Sequence, residues 1–420
     1  MSVSGVIGIV GALIFLAHFF VGLFSRTRIP DVLWLTLIGV LLGPVLHLVT
    51  PSSFGAVGPV FTTVTLVLIL FESGIGLSLE VLRKALRGTL SLALLNFVVT
   101  MLVVAAVAHG VGRLTVTASL MLGAILGGTS PTVVIPLASR LEMSEQASTI
   151  LFLESAIGDV LSIVIALALL QAVRSGNLVV GPVLGNLVAA FLFAAILGVA
   201  GAVAWSILLN RVRTLENSLM TTIAFVFVIY GIVQFLGFSG AIASLAFGAM
   251  LGNLPSMDTS FLKRFTFLKP ISLSKMERAF FSEVVFLVKT FFFIYVGVSI
   301  QLTNPGWILF GLLMTALIFL FRIPVARFGV NKSVPKQDAV RMAIMAPRGL
   351  AAAVLASLPL QAKMPGGHLV QATAYSVIIF GIALTSLLVF LLEKTPLRGL
   401  YEKIFAGFGE SAEVGTSSSG

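Results

Sequence analysis

Gly127-Gly128-Thr129-Ser130-Pro131 lies inside one apolar stretch of this chain, and Glu154-Ser155-Ala156-Ile157-Gly158-Asp159 lies inside the next. Both contain features that lipid penalises. An ionisable residue at the centre of a spanning helix costs roughly 2.5–3.5 kcal/mol on insertion scales, so an Asp kept there is a functional-site candidate by default. Two glycines and a proline interrupt a helix, and irregular backbone at membrane depth is tolerated only where it is buried in protein or lines a cavity. The pair reads as the site of an ion or proton transporter.

Composition fixes the class. Hydrophobic residues make up 58% of the 420 and charged residues 10%, with a mean hydropathy of +1.12. Soluble domains carry nearer a quarter charged residues, so this is an all-α polytopic membrane protein. There is no cysteine, hence no disulfide or thiolate-metal framework, and His18, His47, His109 and His368 lack metal-ligand spacing. No cofactor is expected. The first apolar segment, from Val6 to Phe24, has no basic residue before it and no small-residue cleavage site, so it reads as a span, not a signal peptide.

A window of about 20 residues, the length that crosses roughly 30 Å of hydrocarbon, gives thirteen candidate spans. They lie near 5–24, 30–49, 57–78, 86–109, 117–139, 148–171, 181–208, 217–236, 238–253, 284–303, 305–328, 338–360 and 369–393. With the N-terminus outside, 20 of the 26 Lys and Arg residues fall on the cytoplasmic side. Arg113, Arg174 and Lys363 fall on the other, and Lys289, Arg322 and Arg348 stay within spans. That asymmetry follows the positive-inside rule and predicts a cytoplasmic C-terminus. The net charge of +10 is then topological, and nucleic acid is not an expected partner because the basic residues are spread over short loops. Residues 254–283 read as a basic cytoplasmic linker, either an amphipathic helix on the anionic leaflet or a plain connector. Residues 410–420, small and polar, read as a disordered tail.

A faint repeat is present. Gly76-Leu77-Ser78-Leu79 closes span three, and Gly297-Val298-Ser299-Ile300 closes span ten. Two spans after each comes an interrupted one: Ser130-Pro131 and its glycines in span five, Ala346-Pro347-Arg348-Gly349 in span twelve. A shift of seven spans inverts the second copy, and interrupted segments at matching places in inverted halves point to a midplane site.

Ser155 and Asp159 are four residues apart and share a helix face, whereas Glu154 and Asp159, five apart, point about 140° away from each other. Asp159, the Ser155 hydroxyl, and the Thr129 side chain with carbonyls freed by the break offer hard oxygen ligands to a small alkali cation. Burial disfavours a bare carboxylate, so proton and cation compete for Asp159, and that competition is an exchange mechanism. The plainer reading, Asp159 paired with a buried Arg, leaves the hydroxyl and the broken helix without a use. Glu154 reads as structural, with Arg322 or Arg348 as partner. Lys289 reads as a snorkelling lysine, His18 as a packing residue, and Glu72 as a cation-attracting funnel residue or an ordinary helix-end carboxylate.

These residues resemble the monovalent cation:proton antiporter superfamily, and within it the thirteen-span prokaryotic sodium/proton antiporter branch related to the animal exchangers. The resemblance rests on Arg28-Ile29-Pro30-Asp31 leading to Gly39 and Gly43-Pro44, Phe71-Glu72-Ser73-Gly74-Ile75, Thr129-Ser130-Pro131-Thr132, Glu154-Ser155 with Asp159, Arg322, and Pro347-Arg348-Gly349. It implies crossed broken helices at spans five and twelve, and a homodimer in which core spans, about 86–171 and 305–393, move against scaffold spans, about 5–78 and 217–303. It implies that Asp159 carries cation and proton in turn, that Ser155 and Thr129 are ligands, and that Glu154 pairs with Arg322. Where electroneutral members place Asn before the essential Asp and electrogenic ones a second Asp, this chain has Gly158. Lack of a second titratable group favours one proton per cation, and the missing amide leaves selectivity open. Na⁺ is the expected cation, K⁺ or Li⁺ the alternative, in a prokaryotic cell membrane.

Two other classes fare worse. A cation channel would want a span rich in pore-lining polar residues. An intramembrane enzyme would want a partner for Ser155 or a His-Glu-x-x-His zinc motif, and the sequence has neither.

Overall fold

Two stretches of chain, 116–140 and 336–361, each form a pair of short helices separated by a few non-helical residues, and the two interruptions touch. The Ser130 N–H donates to the Pro347 carbonyl at 2.9 Å. One part of the helix bundle packs around this junction. The computed structural model describes residues 3–27, 30–51, 57–77, 89–175, 180–213, 218–254, 273–300, 305–395 and 397–409. Among them are sixteen α-helices and no β-strand, the single β-bridge being Pro335–Gly409.

In chain order these are α1 (Val3–Thr27), α2 (Asp31–Val40, running into a π-turn at Leu41–Val45), α3 (Val57–Gly76), α4 (Thr89–Gly110), α5 (Val116–Ile125), α6 (Pro131–Arg140), α7 (Glu145–Ser175) and α8 (Val180–Val212). Then come α9 (Leu219–Phe235), α10 (Gly240–Asn253), α11 (Lys275–Val298), α12 (Pro305–Gly329), α13 (Lys336–Ile344), α14 (Leu350–Gln361), α15 (Gly367–Lys394) and α16 (Leu397–Ile404). Six of the described helices are long and apolar enough to cross a bilayer alone: Ser91–Gly110, Glu145–Val173, Leu192–Leu209, Lys275–Val298, Pro305–Gly329 and Gly367–Lys394. Exposed apolar side chains such as Phe15, Phe19, Leu192, Leu320 and Phe390 suit a surface that meets lipid instead of water.

In lipid the hydrophobic effect does not drive helices together, so close backbone contact through small residues takes over. Helix α2 crosses α11 with Gly39 against Gly297, where a Cβ on Gly39 would stand 2.1 Å from the Ile294 carbonyl oxygen. Helix α3 crosses α10 with Gly74 against Gly248, where a Cβ on Gly248 would stand 2.2 Å from the Phe71 carbonyl oxygen. One group of helices, α2, α3 and α8–α11, packs through these joints. A second group, α4–α7 and α12–α15, packs around the breaks, and the two groups meet along α3–α14, α7–α8 and α2–α15.

The structure moves one boundary. Ser274 caps α11 through a reciprocal capping box with Glu277, so helix begins at Lys275 and the expected linker 254–283 gives up its last residues to α11. Leu254 closes α10. The remainder of that linker, its amphipathic-helix reading, and the tail 410–420 lie outside the described residues. Beyond Lys394 a short helix, α16, seats Phe405 and Phe408 in buried positions, with the Arg327 guanidinium 5.3 Å from the Phe408 ring centre.

Candidate functional site

Helix α5 ends at Ile125 because Gly127 and Gly128 follow. Helix α6 restarts at Pro131, whose fixed φ and absent N–H suit a first helical position. On the other side α13 ends at Ile344 and α14 restarts at Leu350 after Gly349. A Cβ on Gly349 would lie 2.1 Å from Ser130 Oγ, so only glycine lets the two breaks meet. The N-termini of α6 and α14 begin at this junction, and α5 and α13 end there. Each start presents partial positive charge and each end partial negative charge.

The long helix α7 runs past the junction. Ser155, buried, sits within hydrogen-bond distance of Thr129 in the break, Oγ to Oγ1 at 3.1 Å. One turn on, Asp159 is half-buried and lines a cavity of about 240 Å³ with Glu72 and Ser73 of α3, Pro131 of α6, Phe152 of α7 and Leu245 of α10. Asp159 and Glu72 therefore open on one cavity between the two helix groups, beside the N-terminus of α6. In sequence Glu72 reads equally as a cation-attracting funnel residue and as an ordinary helix-end carboxylate.

Glu154, on another side of α7, is 1% exposed, as is Arg322 of α12. Both Arg322 Nη atoms donate to the two Glu154 carboxylate oxygens, Nη2 to Oε2 at 2.8 Å, and Nε donates to the Met342 carbonyl at 3.2 Å. This cross-link ties α7 to α12 and to the last turn of α13. Arg348, in the second break, is equally buried and donates from Nη1 to the Ala346 carbonyl at 3.1 Å, while its Nε and Nη2 have no hydrogen-bond partner among the described residues.

Three placements differ from, or go beyond, the sequence reading. Lys289 does not simply snorkel: its ammonium lies 3.0 Å from the Asp31 carboxylate at the start of α2. Asp338 reaches the Ser144 N–H at 2.9 Å and pairs with Arg341, bracing the α6–α7 turn against α13. Ser162 of α7 accepts the Gly128 N–H at 2.9 Å. Nothing distinguishes Ser162 from other helical serines except its position two turns after Ser155.

A bundle whose two interrupted helices meet beside a buried Ser–Thr pair and a cavity-lining carboxylate is an integral membrane protein with an internal acidic site. The sequence model described as "Sodium/hydrogen exchanger, transmembrane" matches residues 11–394. The chain belongs to that family of transporters. It is similar to Na(+)/H(+) antiporter 1 of Methanocaldococcus jannaschii, 25% identical over 166 residues, which cover 39% of this chain and 39% of that relative. Its fold is similar to that of the sodium proton antiporter MjNhaP1 from the same organism, solved at pH 8, with a TM-score of 0.70, 22% identity, and coverage of 97% of this chain and 100% of that one. A three-dimensional electron-microscopy map of the same antiporter gives a TM-score of 0.66 at 22% identity, covering 98% and 100%.

Proposed function

We propose that this chain is a secondary active transporter that exchanges Na⁺ for H⁺, one for one, by alternating access. The observation that carries the reading is Asp159 on the wall of a cavity shared with Glu72, one helical turn from the Ser155–Thr129 contact at the break. Asp159 carries cation and proton in turn, and Ser155 and Thr129 supply neighbouring oxygens. Glu72 attracts cations to the cavity. Glu154 and Arg322 brace the site, with Ser130, Pro131, Pro347 and Arg348 holding the breaks.

Coupling follows from charge. With either Na⁺ or H⁺ aboard, the carboxylate is neutralised. Empty, it is a bare charge facing low dielectric, and an uncompensated buried charge costs several kcal/mol. At about 4 kcal/mol the empty site would interconvert roughly a thousandfold more slowly than the loaded one. Exchange is then fast and leak is slow. Gly158 contributes no second titratable group, which supports an electroneutral cycle.

The finer architecture belongs to the same proposal: thirteen spans, N-terminus outside, C-terminus cytoplasmic, and two inverted repeats offset by seven spans. Packing supports the repeat. The offset carries span two onto nine and three onto ten, so it exchanges the pair α2–α11 for the pair α10–α3. Both pairs are joined through glycines. The broken helices cross where Ser130 meets Pro347. The α4–α7 and α12–α15 group is the moving core, and the other group is the scaffold and the dimer contact, in a prokaryotic cell membrane.

K⁺ at the same site is the second reading, and Gly158 is what favours it, since that position offers no side-chain oxygen or amide to tighten the cage. Uptake of isotopic Na⁺ into proteoliposomes driven by an outward proton gradient tests the proposal. Uptake that collapses with the gradient and is competed by Li⁺ more strongly than by K⁺ is expected. Uptake indifferent to the proton gradient would overturn exchange, and preferential competition by K⁺ would move the assignment to the second reading.

A further inference from the structure

Ser155, Asp159 and Ser162 stand at i, i+4 and i+7 on α7 and so share one face of the helix. The two serines sit on either side of Asp159 along that face, about 10 Å apart at 1.5 Å per residue. Both contact the same irregular segment, Ser155 through a side chain and Ser162 through a backbone amide. Ser155 Oγ lies 3.1 Å from Thr129 Oγ1, and Ser162 Oγ accepts the Gly128 N–H at 2.9 Å. Consecutive residues of the break are thus held at two points that straddle the carboxylate.

Two glycines allow this approach. A Cβ on Gly128 would stand 2.7 Å from the Gly158 carbonyl oxygen and 2.8 Å from Ser162 Oγ. A Cβ on Gly158 would stand 3.1 Å from Gly128 Cα and 3.4 Å from the Thr129 nitrogen. Helix α7 therefore lies backbone to backbone against the break at Gly158, and Ser162, 2% exposed, supplies the acceptor for an amide that lies beyond the end of α5. Without that oxygen the Gly128 N–H is buried and unpaired, and the break relaxes towards another acceptor and takes Thr129 with it.

We propose that Ser162 is a positioning residue of the cation site. By fixing the Gly128 amide across the Gly158 contact, it sets where Thr129 stands relative to Asp159, and so sets the size of the oxygen cage and its preference among Na⁺, Li⁺ and K⁺. The proposal rests on the reading of Asp159, Ser155 and Thr129 as the cation site. The fit between cage and ion is a matter of tenths of an ångström, so a small shift of one wall reaches selectivity before it reaches turnover.

The test is cation-dependent proton flux in proteoliposomes for wild type, Ser162→Ala, Ser162→Thr and Asp159→Asn, with KM, maximal rate and melting temperature measured for each. Ser162→Ala should raise KM for the preferred cation about five- to tenfold, the equivalent of one lost hydrogen bond, and flatten the ratio of KM values between cations. Maximal rate should change much less, and Ser162→Thr, which keeps the oxygen, should restore KM and ratio. A lowered melting temperature with unchanged KM and ratio overturns the positioning role. Should Ser162→Ala fail to fold, Gly158→Ala pushes on the same contact from the other side: a changed cation ratio supports the proposal, and an unchanged one overturns it. Coupled flux surviving in Asp159→Asn would overturn the reading of the site itself. An inactive Asp159→Asn beside an unaltered Ser162→Ala would sink the Ser162 assignment alone.

Discussion

Replacing Glu154 by Gln removes one charge from a pair in which both side chains are 1% exposed. Arg322 then keeps its bond to the Met342 carbonyl and one bond to the new amide, but its buried charge loses its counter-ion. Breaking a buried pair from one side costs about 3–5 kcal/mol. Because the Gln oxygen still accepts, Glu154→Gln belongs at the lower end of that range. Arg322→Met, which strands a bare carboxylate, belongs at the upper end. Removing both charges in Glu154→Gln/Arg322→Met leaves neither partner as an uncompensated buried charge, which is the main cost of each single variant. The double variant should therefore be more stable than Arg322→Met alone, with a coupling energy of about 3 kcal/mol or more. Denaturant unfolding in a fixed detergent, followed by tryptophan fluorescence, measures the cycle. Single-variant costs below about 1 kcal/mol, or costs that simply add, would refute the assignment of this pair as the brace between α7, α12 and α13.

Other consequences follow from single contacts. Thr129→Val and Ser155→Ala should each raise the cation KM about five- to tenfold, and the double variant should cost less than the product, because each removes the same 3.1 Å contact; KM from proton-flux titrations decides. Gly248→Ala, which would drive a methyl group to 2.2 Å from the Phe71 carbonyl, should destabilise by about 1–3 kcal/mol, whereas Gly231→Ala, with nothing within 4 Å of its Cβ, should be neutral or slightly stabilising in the same melts. The chain has no cysteine, so Glu72→Cys provides a single thiol; an impermeant thiol reagent should modify it from the cytoplasmic side only, more slowly with saturating Na⁺.

Much of the helical architecture can be read from the sequence because lipid leaves few choices. Twenty apolar residues become a helix, and Gly127-Gly128 or Pro347 with Gly349 interrupts one. The breaks stand out for the same reason Asp159 does: each is costly in hydrocarbon. Contacts made by ordinary residues across long separations are harder to read. Glu154 and Arg322 are both conspicuous, yet the residues alone do not choose between Arg322 and Arg348 as the partner, because that depends on how α12 is turned against α7; only the family resemblance points to Arg322. Asp31 starts a helix, where a charge needs no partner, and Lys289 within its span reads as a lysine that snorkels, so their pairing leaves no trace. The start of α11 is hidden in the expected linker 254–283, because the flanking basic residues outweigh the capping-box spacing of Ser274-Lys275-Met276-Glu277. Ser162 becomes visible only once Gly158 is known to touch Gly128.

The account depends on one carboxylate. In proteoliposomes carrying an internal pH dye, with the membrane voltage clamped, Na⁺ addition should produce saturable proton efflux in the wild type and none in a folded Asp159→Asn. Flux of wild-type size in Asp159→Asn, or flux in the wild type that follows voltage and not the proton gradient, would contradict exchange through Asp159.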